Sequence, residues 1–291
     1  TFTGSTDTDF GTASFSLATD GTFLGESGAD HTYSLATDLG TFSVANNGDA
    51  GNAVDDITPT AFEEANGSGS GTYAVDFGSG MDGSMSIAYA NGDIMGTGIS
   101  VKYSYYPKLD GATNNEKAAS AANNSATDSA ESINVGIPLA GLPIIGDSPL
   151  GAAKITLGYE NSDSRVTDAQ PKEGGTVAVV MPVGPLSIGF QKKAYQSVGT
   201  SAAEAQDAFF KDDILGVAFA INDAAAISYN VIESAKHLHT TGEVEQETKA
   251  INFAYTVGGL TLAFQDAKTS NAGYVATTDD DTRTLSIKTA F

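Results

Sequence analysis

The chain has 291 residues, 36 of them acidic and 14 basic, for a formal charge of −22. That balance argues against nucleic acid as a partner, which needs clustered Lys and Arg, and favours cations as permeants or bound ions. There is no cysteine, so no disulfide framework and no thiolate metal site is available.

Glycine is abundant at 33, tryptophan is absent and only 17% of residues are charged, which suits extended, turn-rich β structure. No run of eighteen apolar residues occurs, so no membrane-spanning helix is expected. Barrel strands escape that test because their lumen-facing positions are polar. A signal peptide is not visible, and one is expected before residue 1, together with a strand or so.

Short segments of alternating polarity follow one another along the chain, as strands with one apolar face require. The early ones are Gly11, Ala13, Phe15, Leu17; then Tyr33, Leu35; Phe42, Val44; Tyr73, Val75, Phe77; Met85, Ile87, Tyr89; and Ile99, Val101, Tyr103, Tyr105. The middle gives Ile133, Val135, Ile137; Ala153, Ile155, Leu157, Tyr159; Val177, Val179, Met181; and Leu186, Ile188, Phe190. The last third is clearest: Leu215 to Ile221, Ala225 to Val231, Ile251 to Val257, Leu260 to Phe264, and Leu285, Ile287, Phe291.

The connectors alternate in length. Short ones carry turn residues, as at Asp38-Leu39-Gly40, Gly80-Met81-Asp82-Gly83, Gly184-Pro185, Asn222-Asp223 and Gly258-Gly259. Long polar ones cover 20–30, 45–71, 107–130, 161–174, 196–211, 234–246 and 266–281. Short turns on one side and long loops on the other are the pattern of outer-membrane barrels. Tyr33, Tyr105, Tyr159, Tyr195, Tyr229 and Phe291 stand at strand ends, where interfacial aromatic girdles would sit. A soluble β-sandwich alternates too, but its exposed strand faces would carry more charge and its loops would not sort into two lengths.

Three stretches carry a family resemblance. The opening 2–17 resembles an early periplasmic hairpin of the general porins of alphaproteobacteria, such as those of Rhodobacter. The stretch 31–46, a strand, an Asp-Leu-Gly turn and a strand running into a long acidic loop, resembles the part of such porins before the third extracellular loop. The terminal 285–291, ending on Phe291, is similar to a closing barrel strand. The resemblance implies a homotrimer of 16-stranded barrels in the bacterial outer membrane, bordered by lipid and lipopolysaccharide. Each barrel would hold a water-filled pore narrowed by an inward-folded third loop.

The expectation is therefore an all-β chain, a transmembrane antiparallel β-barrel of about 16 strands with a long inward-folded third loop, forming one domain over 1–291. These fifteen segments, a stub at Phe2 and one strand before residue 1 make seventeen, whereas bacterial barrels have even numbers. The excess is placed at 84–106, read as one bulged strand or an extramembranous hairpin.

In that frame the loop 45–71, with Asp49, Asp55, Asp56, Glu63 and Glu64, is the candidate constriction. Acids facing basic wall residues across a wet channel set its ion preference. The bland alternative is a solvated acidic loop. Period-two parity turns Lys102, Lys154, Lys193 and Lys288 to the lumen. Asp279, Asp280 and Asp281, with Asp207, Asp212 and Asp213, are candidates for Ca²⁺ near the rim, though they lack EF-hand spacing. His237 and His239 lack a third metal ligand nearby. No other cofactor is expected. Nucleophile-elbow, phosphate-loop, zinc-protease and dinucleotide motifs are missing, so no enzyme is expected. The function expected is a water-filled outer-membrane channel for passive diffusion of ions and small hydrophilic solutes, with a preference for cations. The alternatives are a substrate-selective channel of the same fold and a Ca²⁺-binding surface β protein or adhesin.

Overall fold

The computed structural model describes residues 1–18, 30–46, 50–67, 75, 77, 81, 84–107, 129–141, 149–162, 172–196, 209–238 and 242–289. These residues form a single antiparallel sheet of fifteen strands in which each strand pairs with its neighbours in sequence. The strands are β1 (Phe2–Thr8), β2 (Gly11–Ala18), β3 (Asp30–Thr37), β4 (Gly40–Ala45), β5 (Ser86–Asn91), β6 (Ser100–Tyr106), β7 (Ala130–Pro138) and β8 (Lys154–Ser162). They continue as β9 (Lys172–Val183), β10 (Leu186–Gln196), β11 (Phe209–Asn222), β12 (Ala225–Leu238), β13 (Gly242–Val257), β14 (Leu260–Ser270) and β15 (Asp280–Thr289). No helix among the described residues is long and apolar enough to cross a membrane.

Two-residue turns join β1–β2, β3–β4, β9–β10, β11–β12 and β13–β14, all on one rim. At β13–β14 both turn residues need a left-handed backbone, φ +56° at Gly258 and +84° at Gly259, which is why glycine occupies both. The odd strand number leaves β1 and β15 running the same way, and they are not paired with each other among the described residues.

Alternation sorts the side chains by face. Phe190, Leu215, Phe219, Ile227, Tyr229, Ile251, Phe253, Leu262, Phe264, Leu285 and Ile287 stand exposed on the outer face. Gln191, Lys193, Asn230, Thr248, Asn252 and Gln265 are buried on the inner one. A soluble protein buries its apolar residues and exposes its polar ones; this sheet does the reverse, as a lipid-facing barrel must. It is the all-β, barrel-type fold that the alternation predicts.

The strand count corrects one expectation. Stretch 84–106 holds two real strands, β5 and β6, joined through a 3-10 turn at Ile94–Gly96. The excess segment is Tyr73-Val75-Phe77. Val75 and Phe77, the described residues of it, lie outside any strand and are buried with Val54 against Ile57, Tyr195 and Phe210. Their alternation reflects burial inside the sheet, not membership of its wall. The β4–β5 connection therefore runs over 46–85, and the expected short turn at 80–83 falls within it. It is the second long connection of the fifteen-strand sheet, and with the strand expected before residue 1 it would be the third. Tyr195 is a second correction: it shares the parity of buried Lys193 and packs inside, while Tyr33, Tyr105, Tyr159 and Tyr229 face outward. Phe291 lies outside the described residues.

Candidate functional site: an inward-folded loop and the channel wall

The β4–β5 connection lies against the inner face of strands well beyond its own neighbours. Its path can be followed by inner-wall amides. Asn134 of β7 donates Nδ2–H to Ala50 O at 2.8 Å. Gln191 of β10 donates Nε2–H to Val54 O and Asp55 O, both at 2.8 Å. Asn230 of β12 donates to Pro59 O at 3.0 Å, and Asn252 of β13 to Thr60 Oγ1 at 3.3 Å. Gln265 of β14 donates to Glu64 O at 2.7 Å and Glu63 O at 3.3 Å. A segment that leaves β4 and touches β7 to β14 on one face requires that face to be concave.

At three places where the loop presses close, the wall has no side chain. A methyl group on Gly158 would lie 2.5 Å from Val54 Cγ2, one on Gly189 2.3 Å from Pro59 Cδ, and one on Gly216 2.8 Å from Pro59 O. Glycine permits that approach. The unpaired carbonyls of a buried loop are costly unless satisfied, and the row of Asn and Gln supplies the donors.

Lys193 of β10 is the main ionic anchor. It is almost fully buried, with Nζ 2.6 Å from Asp55 Oδ1, 3.4 Å from Asp56 Oδ1 and 2.9 Å from Val75 O. Phe77 N–H donates to the same Asp55 oxygen at 2.9 Å. Asp212 of β11 accepts from Val75 N–H and from the Ser234 hydroxyl. A buried charge persists only when paired and hydrogen-bonded, and these contacts hold both limbs of the loop to the wall. Burial pushes the Asp55 carboxyl up, to about 7, against the lowering effect of Lys193. Glu64 is also raised, chiefly by burial.

A second connection turns inward from the long-loop rim. Between β14 and β15, the 3-10 turn Ala272–Tyr274 sets the Tyr274 hydroxyl 2.8 Å from Ser234 Oγ and lets Gly273 N–H donate to Gln246 Oε1 at 3.0 Å. The Tyr274 ring packs on Phe210, with Lys236 Nζ within 6 Å of both rings (5.7 Å and 5.9 Å). Asn271, Tyr274 and Thr277 all hold left-handed φ values, 53°, 60° and 64°, a conformation uncommon for residues other than glycine.

The structure places the sequence-predicted residues as follows. Asp55 and Asp56 meet Lys193. Glu63 and Glu64 lie on the loop where it is held by Gln265. Asp49 lies outside the described residues. Lys102 and Lys154 line an inner cavity with Val54 and Ile57. Lys288 Nζ lies 6.0 Å from the Phe62 ring of the loop. The amides, glycines and Tyr274 are the residues that reading by charge missed; Asn or Gln at inward parity on successive strands was the available signal.

Asp280 and Asp281 are successive strand residues and point to opposite faces, as do Asp212 and Asp213, the latter paired outside with Lys192. No group of three potential metal-ligating side chains occurs among the described residues. His237 pairs with Glu243 at 2.9 Å, and His239 lies outside the described residues, as does Asp207.

No family model and no curated protein matches the sequence. Solved structures do match the fold. A porin refined at 1.8 Å resolution shares 14% identity over 96% of this chain and 92% of its own, with a TM-score of 0.60. An anion-selective porin from Comamonas acidovorans shares 13% identity over 99% and 88%, with a TM-score of 0.60. The outer membrane channel DcaP of Acinetobacter baumannii shares 13% identity over 96% and 80%, with a TM-score of 0.59. The fold is that of the bacterial outer-membrane porins. At such identities the likeness is one of fold, and it does not single out the alphaproteobacterial group.

Proposed function

We propose that this protein is a general diffusion porin of the bacterial outer membrane, passing small hydrophilic solutes with a preference for cations. One observation carries the reading: a polar inner wall holds a long acidic loop inside a sheet whose outer face is apolar. A loop so placed narrows a wet lumen, and its charges act on whatever passes. Asp56 stays exposed beside Lys193, Glu63 and Glu64 lie further along, and Lys193 is neutralised by Asp55. With a formal charge of −22 behind it, the constriction favours cations.

Lipid and lipopolysaccharide would border the apolar outer belt. The homotrimer that the family resemblance implies belongs to the same proposal, as does the alphaproteobacterial kinship suggested by 2–17 and 31–46.

The test is planar-bilayer conductance of the detergent-purified protein in a salt gradient. Stable steps with a reversal potential favouring cations are expected. Inserted protein without steps would refute an open pore, and an anion-favouring potential would refute the preference.

A further inference from the structure

The β14–β15 connection, 271–279, is rooted on β14 and β15 yet reaches back across the inner face as far as β11. Asn271 donates Nδ2–H to Glu245 O of β13 at 2.9 Å, and Gly273 N–H donates to Gln246 of the same strand at 3.0 Å. Tyr274 meets Ser234 of β12 and the Phe210 ring of β11. Ser234, Gln246 and Ala272 are buried where the connection docks, while 275–279 stay exposed. Its base is closed on itself, by Ala272 N–H to Thr278 O at 2.7 Å and Thr277 N–H to Asn271 Oδ1 at 3.0 Å. A connection closed at its base and docked at its tip can leave the wall as one piece.

The docked form works against its own backbone. Tyr274 and Thr277 hold φ values of 60° and 64°, a left-handed conformation that asparagine tolerates and bulky or β-branched residues resist. Such strain persists only where surrounding contacts impose it, and it gathers at switch segments. On the wall side the latch runs through one hydroxyl. An ionised carboxylate only accepts, so the Ser234 proton goes to Asp212 and Tyr274 donates to Ser234 Oγ. The other Asp212 oxygen accepts from Val75 N–H of the inward loop. One buried carboxylate thus ends a chain of hydrogen bonds from the β14–β15 connection and another from the loop.

We propose that the β14–β15 connection is a gating strap at the long-loop mouth of the channel, latched to the inner wall by Tyr274 through Ser234 and Asp212, and that its release widens the mouth. The proposal rests on the channel reading for what the strap gates, not for its movement. Because Asp212 serves both connections, release of the strap weakens the hold on Val75, and loosening of the loop favours release; such coupling is reciprocal.

The chain has no cysteine, so a single thiol placed at buried position 272 reports the strap. In detergent-folded Ala272→Cys, labelling by a maleimide requires the strap to leave the wall. Adding Tyr274→Phe, which keeps the ring and removes only the hydroxyl, is expected to speed labelling roughly fivefold, the scale of one hydrogen bond. Ser234→Ala is expected to do the same, with little further gain when the two are combined. Thr277→Asn, better suited to a left-handed backbone, is expected to slow labelling. In planar bilayers, with Ala272 kept, Tyr274→Phe is expected to shift openings toward a larger conducting level and Thr277→Asn toward a smaller one. Unchanged labelling in Tyr274→Phe, or faster labelling in Thr277→Asn, overturns the latch whether or not the protein conducts. Faster labelling with unchanged conducting levels overturns the gate. A wild-type protein that does not conduct refutes the channel and with it the gate, while the labelling still decides the latch.

Discussion

Lys193 joins an inner strand to both limbs of the loop, and its removal strands Asp55 in a buried place. Breaking a buried ion pair by deleting one partner costs about 3–5 kcal/mol. Lys193→Met is expected to lower the unfolding midpoint in denaturant and to release the loop, raising single-channel conductance or its noise. Asp55 adds a pH dependence. The folded protein holds the Asp55 proton more tightly than the unfolded chain, from the ordinary 3.8 up to about 7. Its contribution to stability is therefore complete below 3.8 and is lost as pH rises through about 7. The electrical consequence runs with the charge: as pH falls through about 7 the constriction loses one negative charge, and the cation-to-anion permeability ratio should fall. Asp55→Asn should hold the ratio at its low-pH value throughout, as reversal potentials taken from pH 5 to pH 8.5 would show.

The loop and the wall form one unit at the level of elements. The described residues of the loop form no regular element beyond one 3-10 turn at Asn52–Val54, so their conformation depends on amides from five strands, Asn134, Gln191, Asn230, Asn252 and Gln265. Each such bond contributes about 1 kcal/mol net, and a buried carbonyl left unpaired costs about 1–3 kcal/mol. Gln265→Leu, which removes the wall's donor to the carbonyls of Glu63 and Glu64 and leaves them only the Thr60 hydroxyl and the Gly67 N–H of the loop itself, should increase proteolytic nicking within 60–67 and leave the secondary structure of the wall intact by circular dichroism. The β14–β15 connection is linked to the same network through Tyr274, Ser234 and Asp212. Alternation alone could not separate Tyr73-Val75-Phe77 from a wall strand. Period two says only that alternate residues are apolar, and a segment folded between loop and wall meets that requirement as well as one facing lipid. The same period turns Lys102, Lys154, Lys193 and Lys288 toward the inner face, each in a strand that carries apolar residues such as Val101, Ile155, Phe190 and Ile287 at the opposite parity.

For the molecule as a whole, the two faces of the sheet should respond in opposite ways to charge. Phe253 is on the outer face and Asn252, one residue away, is buried on the inner one. Arg at the bilayer midplane of an outer face costs about 2–4 kcal/mol, so Phe253→Arg should reduce folding yield into vesicles while leaving the ion preference of inserted protein unchanged. A folding assay by heat-modifiable mobility, paired with reversal potential, checks both halves of that statement. The fold class, the outward apolar belt, most turns and the inward lysines were written in local order, since strand periodicity and turn chemistry act over a few residues. Which acid meets which base, the path of the loop over Gly158, Gly189 and Gly216, and the cavity of Lys102 and Lys154 follow from contacts between residues up to about two hundred positions apart (Glu63 with Gln265, for example). Such contacts depend on the curvature of the sheet, and no pattern with a period of two encodes curvature.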